Sequence, residues 1–96
     1  MSDLIPASEL TQRLRKFPEW DYSPKRKRIL RTFEFDEFMD GIDFVNGVAE
    51  IADESGHHPD IDIRYNIVRC ALTTHDQGGV TSLDLEMALR IDTLVD

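Results

Sequence analysis

The residues of this chain best suited to chemistry at neutral pH are its three histidines, His57, His58 and His75. An imidazole with an unperturbed pKa of about 6.5 gives or takes a proton at little free-energy cost, so it can act as general acid, general base or ligand. His57 and His58 are adjacent, and Pro59 confines the backbone of His58 to extended conformations, so the two rings diverge. One of them can face a ligand while the other orients or binds it. The plainest alternative is a polar turn at 57–59 and a surface histidine at 75. A metal reading would enlist the three histidines with Asp60 or Asp62 as nitrogen and oxygen ligands. Adjacent histidines rarely chelate one ion through both rings, and no i, i+4 histidine pair supports a zinc site, so no metal is expected.

Regular elements must hold these side chains in place. Ser8 is a plausible N-cap for a first helix in which Leu10, Leu14 and Phe17 recur on one face, ending near Pro18. Trp20 to Tyr22 and Ile29 to Phe35 read as two strands of a hairpin around Ser23-Pro24 and its basic residues. Asp36 is expected to cap a central helix whose apolar stripe is Phe38, Ile42, Val45, Ala49 and Ala52, with Gly41 and Gly47 as close-packing positions. Ser55-Gly56 would end it, the glycine taking a left-handed conformation. Ile61, Ile63 and Tyr65 mark a third strand, Val68, Cys70, Leu72 and Thr74 a fourth, with Asn66 near the turn between them.

Thr81 is placed to cap a last helix, with Asp84 at the capping-box position three residues on. Its expected apolar face is Leu83, Met87, Ile91, Leu94 and Val95, widened by Leu85, Ala88 and Leu89. Short connections within each strand pair require antiparallel pairing. The expected architecture is α+β, in the order α-β-β-α-β-β-α, with three helices on one face of a four-stranded antiparallel sheet. All three histidines then fall just after the central helix or just after the last strand, where loops on a rigid scaffold usually supply functional groups.

Composition narrows the function further. At 96 residues the chain makes one domain, 1–96, and the surplus apolar width of the last helix points to a homo-oligomer. A 41% hydrophobic and 31% charged composition is that of a globular protein, and no apolar run is long enough to span a membrane. The formal net charge of −8 argues against direct nucleic-acid binding. The basic run Lys25-Arg26-Lys27-Arg28 reads as a solvated hairpin turn rather than a nucleic-acid patch. With Cys70 as the only cysteine, no intrachain disulfide can form. The opening residues show neither a secretory signal nor a transit peptide, so a cytoplasmic location is expected.

Asp53, His57-His58-Pro59, Tyr65, His75 and Asp84, in this order and spacing, resemble the signature of the pterin-4a-carbinolamine dehydratases. Trp20 and the Gly79-Val80-Thr81 lead into the last helix also match, so the resemblance covers most of the chain. It implies the same α+β fold, homodimers or homotetramers, and no metal or organic cofactor. The implied reaction is loss of water from a 4a-hydroxytetrahydropterin to give quinonoid dihydropterin, in the recycling of tetrahydrobiopterin. On that resemblance His57 and His75 would serve as acid or base on the two sides of the pterin, and His58 would position the ring. Asp53 would orient a histidine, and Trp20, Pro59, Thr73 and Asp84 would complete the substrate site, Trp20 by stacking. For Asp84 the capping role is an equal alternative, and Tyr65 reads as a mid-strand core residue. Gly56, Ile61 and Gln77 depart from well-known animal members, which carry an acid, an aromatic and a cysteine there. Competing readings are an interaction module that stabilises a transcription factor through a helical surface, and a protein that acts on, or only binds, another pterin.

Overall fold

In the computed structural model, which describes residues 3–96, helix α1 (Ala7–Arg13) runs into a 3-10 turn (Leu14–Lys16). Strands β1 (Asp21–Ser23) and β2 (Arg28–Glu34), helix α2 (Phe38–Ser55) and strands β3 (Asp60–Arg64) and β4 (Ile67–Leu72) follow. A second 3-10 turn (His75–Gln77) leads to helix α3 (Ser82–Asp92). The sheet order is β1-β2-β4-β3, and every neighbouring pair is antiparallel. The α+β class, the element order and the antiparallel pairing are those the sequence implies.

Side-chain alternation decides which face the helices cover. The pairs Ile29–Leu72, Arg31–Cys70 and Phe33–Val68 share one side of β2 and β4, and Ile61 opposite Cys70 extends it onto β3. Ile29, Phe33, Val68, Cys70 and Leu72 are buried there against Leu10 of α1, Phe44, Val48 and Ala52 of α2, and Leu85, Met87, Ala88 and Ile91 of α3. The other face carries Arg28, Thr32, Asp60, Asp62 and Arg69 among its residues and holds the ion pair Arg28–Asp60 at 3.4 Å.

Arg31 is the exception on the covered face. Its Nη1 lies 2.6 Å from Asp92 Oδ1, and its guanidinium stands 4.4 Å from the Phe33 ring centre. Trp20 Nε1 donates to the same Asp92 oxygen at 2.9 Å. A cation taken out of water needs such a partner.

Several local expectations change. The buried edge of α2 is Gly41, Phe44, Val48 and Ala52, while Phe38 is 43% exposed. A Cβ on Gly41 would meet Phe35 and Val68 at 3.4 Å. The buried edge is thus rotated from the expected stripe, toward Phe44 and Val48. Gly47 packs similarly under Leu94, 3.1 Å from where a Cβ would lie. The N-cap of α2 is Glu37 rather than Asp36, and that of α1 is Pro6 rather than Ser8, neither with a side-chain cap. Proline's fixed φ suits a helix start without one. On α3, Leu83 is exposed and the core side is Leu85, Met87, Ala88 and Ile91. Tyr65 sits in the β3–β4 turn at φ 52°, 71% exposed, and is neither mid-strand nor core. Lys25, Arg26 and Lys27 of the basic run lie in the β1–β2 turn, where Lys27 N–H donates to the Ser23 carbonyl at 2.7 Å, while Arg28 already pairs in β2.

Burial pushes the Cys70 thiol up from the ordinary 9.0 to about 12, because the thiolate loses its hydration. The folded state then keeps a proton that the unfolded chain releases. The resulting stability is fully present below pH 9 and is lost as pH rises from about 9 to about 12. Urea unfolding across that range should show a decline that is shallower in Cys70→Ala. Equal slopes in the two proteins would count against this origin.

Candidate active site

The end of α2 sets the position of His57. Gly56 adopts φ 68°, ψ 22°, its N–H and that of His57 both returning to the Ala52 carbonyl, the latter at 3.2 Å. This reverses the chain tightly and delivers His57 directly beyond the helix end. The left-handed conformation favours glycine, which accounts for Gly56 at the end of α2.

His57 then meets α3. Its Nε2 lies 2.6 Å from Asp84 Oδ1, and Asp84 is wholly buried. The other carboxylate oxygen, Oδ2, accepts from the Thr81 N–H at 2.9 Å and from Thr74 Oγ1 at 2.9 Å. Thr81 Oγ1 in turn accepts from Leu83 N–H, completing the capping box expected from sequence. Asp84 therefore caps the helix through one oxygen and meets a histidine with the other. A buried carboxylate is stable only when its oxygens receive donors, and these contacts supply them.

His58 pairs with Asp53 at 3.1 Å between Nε2 and Oδ1, but both side chains are largely exposed. Asp53, the carboxylate expected to orient a histidine, has His58 as its hydrogen-bond partner. His75 is exposed and begins the 3-10 turn beyond β4, which Gly78 ends at φ 74°.

His57, His58 and His75 all line one open cleft of about 220 Å³, together with Gly56, Thr73, Thr74 and Asp76. Thr73, also expected at the site, anchors its wall by donating from Oγ1 to the Lys27 carbonyl at 2.8 Å. Pro59 is half-buried between His58 and the start of β3. Trp20 is not part of this arrangement: it is 2% exposed, packed edge-on to Phe33 at 6.4 Å between ring centres, and bonded to Asp92. Its ring is used up in the core and has no free face for stacking. Ile61 packs against the core, and Gln77 is half-buried in the His75 turn. Thr74 was not anticipated. A hydroxyl next to a histidine carries little sequence signal when its partner lies on a different element. Among the described residues, no group of three or more His, Cys, Asp or Glu side chains is arranged to hold a metal ion. Nor is any helix among them long and apolar enough to cross a membrane.

Residues 3–94 match the family model for pterin 4 alpha carbinolamine dehydratase. The chain belongs to this family. A Chloroflexus aggregans protein named "Putative pterin-4-alpha-carbinolamine dehydratase" is 48% identical over 91 residues, covering 95% of this chain and 96% of the relative. One of the same name from Acidobacterium capsulatum is 46% identical over 95 residues, covering 99% and 100%. Among solved structures, the Brucella melitensis protein described as a transcriptional coactivator/pterin dehydratase superposes with a TM-score of 0.93 at 32% identity, covering 98% of this chain and all of the other. A pterin dehydratase-like protein identified as a RuBisCO assembly factor of the alpha-carboxysome shares the fold, with a TM-score of 0.68 at 23% identity over 79% of this chain and 88% of the other.

The two histidine–aspartate pairs of this dehydratase-family chain differ in burial, and that difference is measurable. Asp84→Ala removes a cap and strands the donors around it, and should destabilise the fold by about 1–3 kcal/mol in urea unfolding. Asp53→Ala, at the surface, should change stability by no more than about 0.5 kcal/mol. Similar losses in the two variants would show that burial of Asp84 has no energetic consequence.

Proposed function

We propose that this chain is a pterin-4a-carbinolamine dehydratase that converts a 4a-hydroxytetrahydropterin into quinonoid dihydropterin and water, the reaction being part of tetrahydrobiopterin recycling. The observation that carries this reading is the convergence of three imidazoles on one cleft, one of them held by a buried carboxylate, in a chain of this family. Dehydration needs a proton delivered to the hydroxyl leaving carbon 4a and a proton removed from nitrogen 5. No electrons are transferred, so two proton-exchanging groups and a binding surface suffice.

His57 and His75 supply the two proton transfers. With Nε2 committed to Asp84, His57 presents Nδ1 as its working nitrogen, and the carboxylate stabilises the imidazolium that forms when it accepts a proton. His75, beyond the end of the neighbouring strand β4, serves the other side of the ring. His58 with Asp53 positions the heterocycle, and Thr73 and Pro59 shape the walls. The exposed Phe38 and Met39 of α2, and Leu89, Leu94 and Val95 at the C-terminal end, support assembly into a homodimer or homotetramer that covers them.

The test supplies 4a-hydroxytetrahydrobiopterin and follows the absorbance of quinonoid dihydropterin. Each of His57→Ala and His75→Ala should lower the enzymatic increment in rate by about 10²- to 10⁴-fold. Retention of most of that increment in both variants would overturn the assignment. Tight pterin binding with no acceleration in the wild-type protein would favour a binding module instead.

A further inference from the structure

Hydrogen-bond direction behind His57 can be followed from a donor that cannot reverse. The backbone N–H of Leu83 only donates, and it reaches Thr81 Oγ1 at 3.2 Å. Asp84 Oδ2, at the other end, only accepts while ionised, and it takes the Thr74 Oγ1 proton at 2.9 Å. The two threonine hydroxyls lie 2.8 Å apart. Each hydroxyl has one proton to give. The Thr74 proton is spent on Asp84, so the bond between the hydroxyls runs from Thr81 to Thr74. The series therefore points one way, from the α3 N-terminus through Thr81 and Thr74 to Asp84. Its last member, Asp84 Oδ1, then accepts from His57 Nε2 at 2.6 Å.

From this arrangement we infer that Thr74 is a positioning residue of the dehydratase site, its hydroxyl fixing the orientation of the Asp84 carboxylate so that neutral His57 carries its proton on Nε2 and leaves Nδ1 bare. The inference rests on the dehydratase reading for its kinetic consequence alone; the tautomer follows from the hydrogen bonds themselves. Bonds in such a series polarise one another, and one to a charged group is stronger than one between neutral partners. The backbone of Thr74 serves the other catalytic histidine. Its N–H donates to the Gly79 carbonyl at 2.8 Å, and its carbonyl accepts from Gln77 N–H at 3.0 Å, closing the turn that carries His75. Replacing the side chain leaves these backbone bonds available, so hydroxyl and backbone contributions can be separated.

The test compares Thr74→Val, which removes the hydroxyl at nearly constant shape, with Thr74→Ser, which restores it. Nitrogen-15 spectra of the imidazoles report which ring nitrogen bears the proton, above the pH at which His57 loses its charge. The other titrating groups around the cleft are His58 with Asp53, His75 and Asp76, and Asp84 faces His57 from α3, so the His57 resonances must be assigned individually. The wild-type protein and Thr74→Ser should show a single Nε2–H form, and Thr74→Val a mixture. In the dehydration assay kcat should fall about 10-fold in Thr74→Val with KM changed less than about twofold, and Thr74→Ser should recover most of it. An Nδ1–H tautomer in the wild-type protein would overturn the inference without any variant, even if Thr74→Val failed to fold. An unchanged tautomer and kcat in folded Thr74→Val, or no recovery in Thr74→Ser, would do the same. If the wild-type protein shows the Nε2–H tautomer but no turnover, the dehydratase reading fails while the hydrogen-bond order stands.

Discussion

One buried carboxylate ties the start of α3 to the end of α2. Asp84 accepts donors from the backbone of its own helix, from a threonine beyond β4 and from the histidine beyond α2. Ionised groups are seldom removed from water without such partners, so folding and site assembly share this requirement. Changes that spoil the capping geometry also displace the carboxylate that His57 depends on. Conversely, loss of the imidazole leaves Oδ1 short of a donor in a region from which water is largely excluded. The stability of the fold and the placement of His57 are thus coupled through two oxygen atoms.

Topology brings the remaining groups together. β3 and β4 are antiparallel, and Asp60 at the beginning of β3 pairs with Ala71 near the end of β4. The segment entering β3 and the segment leaving β4 must then lie at the same end of the sheet. His57-His58-Pro59 enters and Thr73-Thr74-His75 leaves, so histidines far apart in sequence line one cleft. A register shift of two residues would retain side-chain faces but slide these segments apart. Burial of Val68, Cys70 and Leu72 against the helices resists such a shift, so packing at the centre of the domain fixes the spacing at its rim.

Features set by short-range chemistry were legible in the sequence. The Thr81–Asp84 box and the left-handed Gly56 depend on neighbours a few residues away, and alternation gave the sheet its faces. Features set by distant partners were not. The buried edge of α2 is set by what packs on it from distant elements, with Phe44 against Phe33 and Phe35. Trp20, expected to stack on a ligand, is instead held in the core, where Asp92, on a helix at the far end of the chain, accepts its indole proton. Thr74 escaped notice because its hydroxyl acts on Asp84 across a loop. Tyr65 continues the alternation of β3, yet the tight turn claims it. The histidines themselves were conspicuous because residues with a pKa near neutrality stand out anywhere, but their mutual arrangement follows from strand register.

The chain contains two histidine–carboxylate pairs of the same chemical kind, and their surroundings give them different capacities. His58 and Asp53 face solvent at 3.1 Å, where water competes for both partners and the interaction is heavily screened. His57 and Asp84 meet at 2.6 Å, with the aspartate inaccessible and its second oxygen already held by two donors. In the first pair the rings and carboxylates remain free to reorient toward whatever occupies the cleft, which suits binding. In the second, reorientation would break several hydrogen bonds at once, so the imidazole is held in one place. Burial, rather than residue identity, therefore separates the histidine that is held fixed from the one that remains free to reorient.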